Sequence, residues 1–121
     1  MKKLIVILVL LFAVSTVTVF AQSISIPAAN VGKWLDPNWD AIWDLSTNNI
    51  RILDLDGSVI YNFSGMIQNW GVSMDGINPV VSFACQDVGK SYRFTFLLNG
   101  NWRMEITRPN EPLYTVELLK Q

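Results

Sequence analysis

The chain has 121 residues, a formal net charge of −1, one cysteine and no histidine. Lacking histidine, it has no Ser–His or Cys–His nucleophile pair, no imidazole zinc ligand and no general base with an ordinary pKa near neutrality. The slight acidic balance gives no electrostatic footing for nucleic acid or anionic lipid, and the lone thiol, Cys85, cannot form an intrachain disulfide.

Lys2 and Lys3 precede an unbroken apolar run, Leu4 to Val14, and Val19-Phe20-Ala21 follows with small residues at the −3 and −1 sites. That order predicts an export signal over residues 1–21, with cleavage after Ala21. An uncleaved anchor fits less well: spanning length is reached only by counting the Ser/Thr-containing segment, and no charged flank follows it. Removal of the signal takes away two lysines and leaves a formal charge of −3. The expected product is a single domain, residues 22–121, secreted or periplasmic, with no stable membrane insertion. Residues 22–31 form a leader without a clear pattern.

From there the chain reads as short alternating segments punctuated by turn chemistry, with no helical period. Trp39 to Leu45 alternates and turns at Ser46–Asn49. Ile50 to Leu55 follows, and Asp56-Gly57 signals a tight hairpin because both residues accept positive φ. Val59, Tyr61 and Phe63 share a face before Ser64-Gly65. Trp70, Val72 and Met74 share a face within the run Met66 to Met74, which Asp75-Gly76 ends. Val81, Phe83 and Cys85 come next, then Tyr92, Phe94, Phe96 and Leu98 form the clearest inward row, with Arg93 and Thr95 outward. Asn99-Gly100 reverses the chain into Trp102, Met104 and Ile106. After the Pro109-to-Pro112 turn, Tyr114, Val116 and Leu118 complete the pattern.

The pattern predicts an all-β, antiparallel up-and-down meander of about eight strands, closed or nearly closed into a small barrel to bury its apolar face and hide its edges. A Greek-key sandwich would need a long connection that the sequence lacks. A lipid-facing barrel would need strands of about nine to eleven residues, longer than most of these segments.

Gly32-Lys33-Trp34, standing just before the first expected strand, resembles the Gly-x-Trp motif of lipocalins and of the wider calycin barrels, which include avidins and fatty-acid-binding proteins. The resemblance implies that Trp34 plugs one barrel end and that a basic residue, Arg103 or Arg108, packs across its ring as a cation–π contact. The usual lipocalin disulfide is missing.

Cys85 reads as a buried structural thiol. Asp36, Asp40 and Asp44 recur every four residues, but Pro37 and the alternation speak against a helix, and on a strand Asp40 and Asp44 share the solvent face. Solvation explains them more simply than a calcium site, which would want a glycine-bearing loop. Asp54 and Asp56 suit a hairpin turn. No metal site, cofactor motif or catalytic constellation emerges, and a non-enzymatic role is expected. The residues left for function are aromatic: Trp39, Trp43, Trp70, Tyr92, Phe94 and Trp102 could line a site that holds a small apolar molecule or lipid. The alternative is a module with a solid core that binds a protein partner through an exposed aromatic patch.

Overall fold

The computed structural model describes residues 24–85 and 87–121; the expected export signal, 1–21, lies outside them. After a short 3-10 turn at Ala28–Asn30 come nine strands: β1 (Gly32–Asp36), β2 (Ala41–Leu45), β3 (Ile50–Leu53), β4 (Val59–Asn62), β5 (Ile67–Asp75), β6 (Asn78–Cys85), β7 (Lys90–Phe96), β8 (Trp102–Thr107) and β9 (Tyr114–Lys120). They form one antiparallel sheet in the order β4-β3-β2-β1-β9-β8-β7-β6-β5, curled into a half-barrel. The all-β meander read from the sequence is the observed fold.

Its eight expected segments are β2 to β9, and β1 is the addition. β1 is short, stops at Pro37, and buries a carboxylate, Asp36, where alternation calls for an apolar side chain. It also supplies the joint that makes the sheet continuous. Trp34 pairs with Lys120 and Leu35 with Leu119, so the first strand meets the last.

The ring expected from the meander does not close, and the gap falls in the middle of the chain. β1 and β9 are antiparallel, which nine strands joined only by reversals cannot achieve. One connection must therefore continue rather than reverse. That connection is 63–66, between β4 and β5. The two strands run the same way, β4 pairing with β3 and β5 with β6, and together they act as one bent strand. Gly65 takes a φ of +77° at the bend, a conformation glycine adopts without steric cost.

Alternate turns lie at opposite ends of the half-barrel. One end is plugged. There Trp34 stacks on Trp102 with ring centroids 3.6 Å apart, and its indole N–H donates to the Gly100 carbonyl at 3.0 Å. The leader adds Ile26, buried and tied by its N–H to the Thr47 carbonyl at 2.7 Å. From this plug an aromatic column rises through Phe96, Phe94, Trp43, Phe83, Phe63 and Tyr92, each within ring-contact distance of another. Interlocking rings at these spacings gain from geometry as well as from burial. The lower interior is therefore solid.

Two expectations about side-chain direction are corrected. Leu98 is not part of the inward row: it lies in the β7–β8 turn and is 84% exposed. Thr95, expected on the outward, solvent-facing side with Arg93, is fully buried, and its hydroxyl has no hydrogen-bond partner among the described residues.

Gly32 shows why the residue two before Trp34 must be small. Its φ is +153°, and an added Cβ would lie 3.1 Å from the Trp34 ring. Gly32→Ala is expected to cost about 1–3 kcal/mol, read as a lower urea midpoint at unchanged slope.

Candidate functional site

The other end is open. The β1–β2, β3–β4, β6–β7 and β8–β9 turns surround it, and between them lies a cleft of about 390 Å³. Its floor is Trp43, Tyr92 and Met104, the top of the aromatic column. Ile52, Ile60 and Ile106 form apolar walls, and Trp39, Asp36, Tyr114, Lys90 and Arg108 stand around them. The volume falls in the range that holds a small organic ligand, and apolar walls with a few placed polar groups are the usual lining.

The strands set this arrangement by register. Tyr92, Ile106 and Tyr114 face one another across β7, β8 and β9. Trp43 and Ile52 do the same across β2 and β3. Trp39 is carried out of the core by the Pro37–Asp40 turn, where Asp40 has a φ of +50°, and it is 74% exposed.

Of the six aromatic residues expected to line a binding site, Trp39, Trp43 and Tyr92 line this cleft. Phe94 and Trp102 do not: both are buried in the column below and reach no open space. Trp70 lies elsewhere, its ring 6.0 Å from Phe83. Neither arginine covers Trp34, whose stacking partner is Trp102. Arg103 reaches Asp75 and Glu105 instead. Arg108 sits at the open end, bound to Glu111 at 2.8 Å and donating to the Pro112 carbonyl at 3.1 Å.

Asp36, Lys90 and Arg108 are the polar groups of the cleft that the aromatic reading overlooked. The signal was there for two of them: Lys90 continues the Tyr92–Phe94 row backwards by two, and Asp36 continues Trp34 forwards by two. Asp36 is 3% exposed and already occupied. One carboxylate oxygen accepts the Asn38 backbone N–H at 2.8 Å, and the other accepts the Tyr114 hydroxyl at 3.1 Å. It holds the rim turn in place.

Asp44 pairs with Arg51 across β2 and β3 at 2.6 Å, on the outer face. Among the described residues no cluster of three or more potential metal ligands forms. Cys85 is buried, with its sulfur 3.3 Å from the Tyr61 hydroxyl.

All three tyrosines resist ionisation. Burial first, then the nearby Cys85, pushes Tyr92 up to about 12. Tyr61 is raised chiefly by its contact with Cys85, and Tyr114 by burial. A phenol whose pKa is raised on folding binds more protons folded than unfolded at high pH. Its stabilisation is complete below the ordinary value of 10.0 and is lost as pH rises towards 12. Urea midpoints should therefore fall across that window, and Tyr92→Phe should flatten the decline.

Compared with known proteins, the chain matches no family model, no curated protein and no solved structure.

Proposed function

We propose that this protein is an exported, non-catalytic binder of a small, mostly apolar molecule, held in the cleft at the open end of the half-barrel. The observation that carries the reading is the contrast between the two ends. At one, Trp34 and Trp102 fill the interior. At the other, Trp43, Tyr92, Ile52 and Ile106 leave about 390 Å³ unfilled beneath an exposed tryptophan. A lipocalin-like role is consistent with a tryptophan plug opposite an open mouth, though fold alone does not choose a function.

Trp39 reports on occupancy. Its ring is exposed in the free protein and would be shielded by a ligand seated on Trp43. Titration with short-chain amphiphiles should shift tryptophan emission to the blue, and Trp39→Phe should remove most of that shift. Native mass spectrometry of the exported protein should show a retained mass of metabolite or lipid size. An unchanged spectrum together with a clean apo mass would refute the reading.

A second reading, a protein-interaction module, is favoured by β5. This edge strand has no charged residue from Ile67 to Met74, and Val72 and Met74, with Ile77 in the following turn, are 56%, 61% and 71% exposed. Long uncharged edges are templates for pairing with an extended segment of another chain. The bulge between Gln68 and Gly71 protects only the first half. If β5 pairs in this way, Val72→Lys should abolish the association, seen as a fall in mass by light scattering, with the Trp39 response intact.

A further inference from the structure

β5 is the last strand of the sheet, and no described strand pairs with its far side. Two interruptions bound its regular part. The bulge between Gln68 and Gly71, with Asn69 at a φ of +54°, breaks the ladder at one end. Gly76, at +62°, turns the chain at the other. Residues 71–75 remain as a straight stretch. Within it Val72 pairs with Val81, a core residue, so Val72 and Met74 share the core side of the sheet. They stay exposed because no further strand stands beside them. Gly71, Ser73 and Asp75 face outward.

This stretch complements itself. An antiparallel copy that overlaps all of residues 71–75 must set Ser73 against the partner's Ser73, on a two-fold axis. A slip in either direction shortens the overlap. In that register Val72 meets the partner's Met74 on the core side, and the symmetry makes the apolar contact twice. On the outer side Asp75 meets the partner's Gly71, which has no side chain. The same row continues from Gly71 through Ser82 to Arg93. Arg93 is half exposed and reaches the Asp75 of its own chain at only 3.6 Å. The incoming carboxylate thus approaches an arginine over a path of small residues. Apolar and opposite-charge pairs across strands are the contacts that stabilise a sheet.

We propose that two copies of this chain associate through β5, antiparallel about Ser73, so that two half-barrels share one continuous sheet. The contact is isologous, the commonest closed arrangement of identical chains. It rests on the reading of β5 as a pairing edge and names the partner which that edge takes.

Sedimentation velocity on the exported protein, over a concentration series, is the test. The mass should rise from one chain towards two. Val72→Lys and Met74→Glu, both at exposed positions, should each stay at the mass of one chain. Mixed in equal amounts they should associate again, because the lysine introduced in one then faces the glutamate introduced in the other. Ser73→Cys, on the axis, should give a reducible cross-linked dimer under mild oxidation. Directly opposed strand residues have Cα atoms about 4.5–5.5 Å apart, within disulfide reach. Leu98→Cys, in the exposed β7–β8 turn, measures random collision, and Cys85 is buried. A wild type that keeps the mass of one chain at every concentration would overturn the second copy and leave β5 as an edge for a different chain. So would an association lost in Val72→Lys but not recovered on mixing, or a Ser73→Cys cross-link no faster than that of Leu98→Cys. Association that survives Val72→Lys would overturn both the second copy and the edge.

Discussion

Phe63 holds the two halves of this sheet together where no backbone ladder does. It lies in the link between β4 and β5, is wholly buried, and meets Trp43 and Tyr61 from one half of the sheet and Phe83 and Tyr92 from the other. Its N–H donates to the Ile50 carbonyl, and its own carbonyl accepts from Met66. Parity requires one connection in the meander that does not reverse. The chain can place that connection here because a single large ring spans the gap. Aromatic packing thus substitutes for hydrogen bonding across the seam, in a domain that has neither a disulfide nor a length that makes a core easy to build.

How far the sequence alone could be read follows from the same physics. Strands β2 to β9 were legible because alternation and turn residues agree along nearly all of them. The turns at Asp56-Gly57 and Asn99-Gly100 were legible because few residues tolerate positive φ. β1 was hidden by Asp36, whose burial makes sense only once Tyr114 and Asn38 are seen to hydrogen-bond to it. Closure was misjudged for a different reason. Ser64-Gly65 looks like any other turn, and nothing local distinguishes a reversing turn from a continuing one.

The site was half legible. Periodicity identifies the inward faces but not the level at which a side chain sits along the barrel. Tyr92, Phe94 and Phe96 belong to one row. Tyr92 reaches the cleft, Phe94 lies in the column, and Phe96 packs edge-on to Trp102 near the plug. Their depth is set by the stagger between strands, a property of the whole sheet. Lys90 stands on the same row, two residues before Tyr92, but a lysine at a strand end reads as an ordinary solvated residue until the cleft beside it is seen.

The cut in the ring also bears on how roomy the molecule can become. A fully hydrogen-bonded barrel behaves as a hoop of fixed girth, since widening it means breaking a ladder along its full length. Here the hoop is split, and the contacts of Phe63, together with the Tyr61–Cys85–Asp87 cluster, latch its ends. Ile60, next to that latch, is also a wall of the cleft. A small shift of that one side-chain cluster would therefore change the calibre of the mouth while every strand pair stays intact.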